Sequence, residues 1–321
     1  MRLSLTFMVG CPAMRLRFAP CLLLLAAVGA VCVAGALCGC GAVASGSAGP
    51  GVRVVAAENF WGSIAAQLAG GRASVESIIA NPDEDPHSYE PTAADARGLA
   101  AAQLAIVNGV GYDPWAPKLL AADGGSGPTV LTVGDLLGLE DGDNPHRWYD
   151  PADVEAVADA ITADLRRLDP GHAAYYSRRR SAFESRGLAT YHRLIADIRR
   201  RFGGVDVGAS ESVFALQAPA LGLKLITPAS FMKAVSEGTE VTARDTLTAA
   251  RQLSSRQVRV WIYDSQNATP EIQRLNALAR SRRIPVAAIT ETLSPAGASF
   301  EQWQVAQLRG IERALHRATG R

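Results

Sequence analysis

The chain has 321 residues, of which 48% are hydrophobic and 20% charged, a balance that supports two ordinary domains with cores and excludes a disordered polymer. Its 32 Lys plus Arg stand against 31 Asp plus Glu, so there is no overall field to gather phosphates, and nucleic acid is excluded as a partner.

All five cysteines, Cys11, Cys21, Cys32, Cys38 and Cys40, lie at the N-terminal end, and the chain after Cys40 can form neither a disulfide nor a thiolate metal site. Arg15 and Arg17 lead into an apolar run, Cys21 to Leu37, with the length of a signal-peptide core; the start is Met1 or Met14. Leu37-Cys38-Gly39-Cys40 resembles a bacterial lipobox. The expectation is a signal peptide over 1–39, acylation of Cys40, and a Ser/Gly-rich tether over 40–51 that anchors the protein to the outer side of the cell membrane. An ordinary signal peptide or a single membrane anchor is the alternative.

From Val52 onward short β-branched runs alternate with amphipathic segments, the pattern of parallel sheets covered by helices. Strands are expected at Val52–Ala56, Val75–Ala80, Leu104–Asn108 and Thr129–Val133, with helices at Trp61–Leu68, Thr92–Ala102 and Pro114–Ala121. Between Asp150 and Phe202 there is almost no strand signal. Asp150-Pro151 reads as an N-cap followed by proline at the first helical position, opening a helix to about Leu168. Pro170-Gly171 breaks it, and an Arg-rich helix follows from Ala173 to Phe202, closed by Gly203-Gly204. Thirty residues of helix span about 45 Å, enough for a stiff spine. A second series then runs through strands Val205–Ala209, Lys224–Thr227, Val258–Tyr263 and Val286–Thr290, with helices near Phe214–Leu221 and at Ala243–Leu253, Pro270–Arg280 and Phe300–Arg317. The fold class is α/β: an N-terminal lobe over 52–172, a connecting helix over 173–203 and a C-terminal lobe over 204–321.

His87 and His146 both follow a proline, in Asp85-Pro86-His87 and Asn144-Pro145-His146. Proline restricts the backbone on either side, which presets each imidazole and lowers the entropy cost of ligation. In the second half, Glu211 and Glu291 follow strands. Two imidazoles and two carboxylates balance a divalent cation, so the ion can be buried without net charge. Asp264, ending the strand Val258–Tyr263, competes with Glu291 for the fourth place.

The run Val52 to Glu58, the segment Asp85 to Thr92, Val107-Asn108-Gly109, Asn144 to Trp148, Ser210 to Phe214 and Ile284 to Thr292 together resemble the zinc/manganese solute-binding proteins of metal ABC transporters. The resemblance covers residues 52–317 in order. It implies two α/β lobes bridged by a rigid helix, one Mn or Zn ion (Fe is also compatible) held as transported ligand by His87, His146, Glu211 and Glu291, and delivery of that ion by a monomeric receptor to an ABC permease. It implies no enzyme activity. Many zinc-specific relatives carry a His-rich loop, and 123–144 contains no histidine, which together with Glu211 in place of His tilts the expectation toward Mn. Two other classes stay open: a siderophore or corrinoid receptor, for which His87 and His146 would be dispensable, and a metallohydrolase, which would turn over ester or phosphoester substrates. Against the last, the chain has no His-Glu-x-x-His or Gly-x-Ser-x-Gly segment. The arginine runs 178–180 and 199–201 are expected to form the solvated face of the connector. His172, His192 and His316 are expected to be surface residues, and Trp148 is assigned to packing.

Overall fold

A computed structural model describes residues 51–82, 86–122 and 127–321. The signal segment, Cys40, most of the tether, Asp85 and the glycine-rich stretch 123–126 lie outside the described residues.

The first sheet contains β1 (Val52–Glu58), β2 (Ala73–Ile79), β3 (Leu104–Val107) and β4 (Thr129–Thr132), all parallel, in the order β2-β1-β3-β4. The second contains β5 (Asp206–Ala209), β6 (Lys224–Leu225), β7 (Val260–Asp264) and β8 (Val286–Ile289), parallel in the order β6-β5-β7-β8. The two sheets therefore repeat one winding. Their central strands are apolar on both faces because helices cover both sides, as parallel sheets require. In each sheet the chain leaves the first strand and crosses outward before returning to the other side, so the carboxyl ends of the strands meet at a switch point, where open α/β sheets bind ligands.

Helix α1 (Asn59–Ala69) buries Phe60, Trp61, Ile64 and Leu68 against β1 and β2. Its Gly62 eases a close approach to the sheet: a Cβ there would lie 3.3 Å from the Ser77 Cβ and 3.4 Å from that of Ala56, and would turn the Ser77 hydroxyl aside. Helices α2 (Ala93–Ala100), α3 (Trp115–Ala121) and the short α4 (Val133–Leu136) complete the first lobe. The Asp150 carboxylate caps α5 (Pro151–Leu168) by accepting from the Ala152 amide at 2.9 Å, as the Asp-Pro pair predicts.

The spine differs from an uninterrupted helix. It consists of α6 (Ala173–Ala182), a π-helical turn from Phe183 to Gly187, and α7 (Ala189–Phe202). The Leu188 amide donates to the Phe183 carbonyl at 2.8 Å, five residues back. The extra residue shifts the apolar stripe, so that Tyr176 and Phe183 before it and Leu188, Tyr191, Ile198 and Phe202 after it are all buried. A 3.6-residue period carries no mark of that shift.

Nor are the arginine runs simply solvated. Arg179 donates to the Gln67 carbonyl on α1 at 2.7 Å, and Arg180 pairs with Asp159 of α5 and Glu184, both at 2.7 Å. At the other end Arg199 donates to the Ala220 carbonyl at 3.2 Å, and Arg201 pairs with Glu312 at 2.7 Å. The spine is pinned to elements of both lobes.

The second lobe adds α8 (Gln217–Ala220), α9 (Ala229–Ser236), α10 (Ala243–Ser254), α11 (Pro270–Ser281) and α12 (Phe300–Thr319). Nothing in the sequence marks helix α9, which is short, opens behind Pro228 and lacks a long apolar period. Among the described residues no helix is long and apolar enough to cross a membrane.

Candidate metal centre

His146 sits where β4 and α4 deliver the chain back to the cleft. Trp148, two residues on, is fully buried and stacks on Phe60 of α1, with ring centroids 3.7 Å apart and planes at 20°. Asn108, at the end of β3, donates to the Pro145 carbonyl at 3.0 Å. Tyr149 donates to the Thr290 carbonyl at 2.8 Å, across to the second lobe. Packing on one side of His146 and backbone capture on the other leave its ring no exposure. His87 lies in a 3-10 turn, Pro86–Ser88, and its side chain keeps 23% exposure. Glu211 follows β5 and Glu291 follows β8, each only 1% exposed.

The structure brings these four side chains together: one ligand atom from each lies within 4.8 Å of all the others. His87 Nε2 is 3.3 Å and His146 Nε2 3.5 Å from Glu291 Oε2. His146 Nε2 and both oxygens of Glu211 are buried and make no hydrogen bond. Leaving such atoms unmade is costly unless a cation uses them. Asp264 is equally buried, but it is not part of the four-residue group; its Oδ1 accepts from the Gln266 amide at 3.0 Å.

Charge is distributed unequally over the group. Burial pushes the Glu211 carboxyl well above the usual carboxylate range, and the Glu291 and Asp264 charges add to that. Burial also works against the charge on Glu291, but His146 and His87 outweigh it and hold its carboxyl well below the usual range. Burial lowers His146, partly offset by Glu291, so the imidazole is neutral and its lone pair available near neutral pH. The Glu211 carboxyl therefore holds its proton more tightly than a free carboxylate does, and metal entry competes with that proton.

The residues around the quartet were not assigned roles by the sequence. Tyr112 donates to Glu291 Oε2 at 2.7 Å, and burial pushes its hydroxyl well above the ordinary phenol range. Gln266, two residues past β7, accepts from the amides of Glu291 and Thr292 at 2.6 and 2.9 Å and donates to the Pro82 carbonyl at 2.6 Å. It thereby fixes the Glu291 loop and touches the loop leading to His87. A cavity of about 460 Å³ opens beside the group, lined by His87, Tyr112, Asn144, Ser212, Met232 and Lys233 among others. It gives the partly exposed His87 an approach from solvent. His192, read from sequence as an isolated surface histidine, has Glu155 and Glu184 at ligating spacing. All three are partly exposed, and Glu184 is already engaged by Arg180.

Two parallel-sheet lobes, a helical spine and four side chains gathered from loops of both sheets make up the architecture. A family model described as the periplasmic component A of zinc-uptake complexes matches residues 54–314, and the chain belongs to that family. Over 152 residues it is 33% identical to the manganese-binding lipoprotein MntA of Halalkalibacterium halodurans, covering 45% of this chain and 50% of that protein. Over 183 residues it is 29% identical to the iron-binding protein YfeA of Yersinia pestis, covering 54% and 57%. In these alignments the chain spans about half the length of the relatives it matches. Among solved structures, the laminin-binding adhesin Lmb of Streptococcus agalactiae superposes with a TM-score of 0.69 at 21% identity, covering 83% of this chain and all of that one. The periplasmic zinc-binding protein TroA of Treponema pallidum superposes with a TM-score of 0.67 at 20% identity, covering 84% and 99%. Both share the fold.

Proposed function

We propose that the protein is the extracytoplasmic receptor of a divalent-metal importer, which binds one transition-metal ion through His87, His146, Glu211 and Glu291 and hands it to an ABC-type permease. The observation that carries this reading is the convergence of four ligand atoms, three of them on side chains no more than 1% exposed, with His146 Nε2 and the Glu211 oxygens lacking any hydrogen bond. Neutral imidazoles and two carboxylates make the loaded site uncharged, which is the condition for holding an ion at low exposure. Carboxylate and imidazole donors suit Mn, Zn and Fe. The glutamate at 211 and the lack of histidine in 123–144 favour Mn as cargo. Relatives named as manganese-binding and iron-binding proteins are consistent with this range.

In the same reading residues 1–39 are a signal peptide and Cys40 carries the lipid that holds a monomer at the membrane surface. Lobes 52–172 and 204–321 flank the spine 173–203. The protein is in this reading a carrier and not a hydrolase: the group offers four protein ligands, where a catalytic zinc site offers three and keeps the fourth position for water. Calorimetric titration of the chelator-treated protein with MnCl2 and ZnCl2 tests the reading, with one ion per chain expected. Absence of binding by either metal overturns it.

A further inference from the structure

The amide of Asn144 joins the two halves of the candidate site. Its Oδ1 accepts from the His146 backbone amide at 3.0 Å and lies 2.8 Å from His146 Nδ1, while its Nδ2 donates to the Ser212 carbonyl at 2.8 Å. The orientation of the amide follows from its partners. A backbone N–H only donates and a carbonyl only accepts, so oxygen must face His146 and nitrogen must face Ser212. An oxygen that faces Nδ1 then requires a hydrogen there, which leaves the Nε2 lone pair pointing at the group formed with His87, Glu211 and Glu291. Ser212 directly follows Glu211, and its hydroxyl is in turn 2.6 Å from that of Ser236 on α9.

We propose that Asn144 is a positioning residue, resting on the metal-receptor reading above: it selects the Nδ1–H tautomer of His146 and locks the His146 loop to the Glu211 loop of the opposite lobe. One side chain thus couples the aim of a ligand from the first lobe to the register of a ligand from the second. An aspartate at this position keeps the acceptor for His146 and loses the donor for Ser212, so the two roles are separable by substitution.

The test uses the whole mature chain, wild type, Asn144→Ala and Asn144→Asp. Long-range 1H–15N NMR of the metal-free protein reads the His146 tautomer. Competition titration reads Mn and Zn affinity, and stopped-flow mixing with a chelator reads metal release. Wild type should show Nδ1–H. Asn144→Ala should lose that preference and bind metal about 10–100-fold more weakly, the range for outer-shell partners of a ligating histidine. Asn144→Asp should keep the tautomer yet release metal faster than wild type. A folded Asn144→Ala with the wild-type tautomer and affinity overturns the inference, as does wild-type release from Asn144→Asp, which decides the matter if the alanine variant fails to fold. If wild type binds neither metal, the receptor reading fails, while the tautomer measurement on metal-free protein still decides what Asn144 does to His146.

Discussion

The hydroxyl of Tyr112 donates a 2.7 Å hydrogen bond to Glu291 Oε2 across 179 residues of sequence, and that same oxygen is the one faced by His87 and His146. The phenol thus restrains the one carboxylate oxygen on which both imidazoles converge. Removing it in Tyr112→Phe leaves ring packing against His87 and Trp148 intact, at centroid separations of 4.9 and 5.0 Å. Metal affinity in this variant is expected to fall about 10-fold or more, with little change in the unfolding midpoint of the metal-free protein. Competition titration beside a denaturant curve separates the two effects, and unchanged affinity would sink the assignment.

The choice between Glu291 and Asp264 is open to a direct comparison. Both are buried at the carboxyl ends of strands of the second sheet, Asp264 closing β7 and Glu291 two residues past β8, but only Glu291 belongs to the group with His87, His146 and Glu211. Glu291→Gln should weaken binding by more than the about 10–100-fold typical of an outer-shell group. Asp264→Asn should leave affinity within the same order of magnitude. The reverse ranking in a titration of both variants at one pH would transfer the fourth ligand to Asp264.

The two sheets, their order along the chain and the four convergent side chains were legible because each rests on a local signal: β-branched runs, Asp-Pro at a helix start, proline before histidine, an acid after a strand. What escaped was geometry made by distant parts. Tyr112 meets Glu291 only because β3 and β8 end at the same cleft, and nothing near Tyr112 marks it. Gln266 looks like a loop residue until the Glu291 and Thr292 amides are seen on its oxygen. Asn144 could have been found, since an Asn two residues before another residue can accept its backbone N–H. The π turn was invisible because its one trace in the sequence, a spacing of five between the buried Phe183 and Leu188, is no larger than the irregularities of an ordinary amphipathic helix.

Trp148 shows how much of the site is held by packing. It is fully buried, stacked on Phe60 and edge-on to His146 at 5.3 Å. Trp148→Ala should cost about 3–5 kcal/mol of stability, the range for large-to-small changes in a core. Because the indole backs the His146 ring, the same variant should also bind metal more weakly under conditions where it is fully folded. Urea unfolding with and without metal checks both. A cost under about 1 kcal/mol would mean that the site is held by its hydrogen bonds alone.

A second buried acid pair, Glu58 at the end of β1 and Asp113 in the loop after β3, sets a pH dependence of its own. Burial pushes Glu58 well above the usual carboxylate range, and the neighbouring Asp113 charge pushes the same way. Asp113 accepts from the Asn108 and Gly109 amides at 2.8 and 2.7 Å, although burial raises it as well. Glu58 is therefore the partner that keeps the proton. A carboxyl raised in the folded state binds its proton more tightly there than in the unfolded chain, so its stabilising contribution is complete below the unfolded value of about 4.3 and is lost as pH climbs through the folded-state value. Glu58→Gln keeps the side chain's size and shape and removes the titration. Measured on metal-free protein by urea midpoints at pH 4, 6 and 8, the variant should match wild type near pH 4 and gain on it as pH rises. Glu211 is raised in the same direction, so the wild-type slope should shrink in the variant without vanishing. Parallel pH profiles for the two proteins would show that Glu58 is ionised in the fold and that its charge is carried by some other contact.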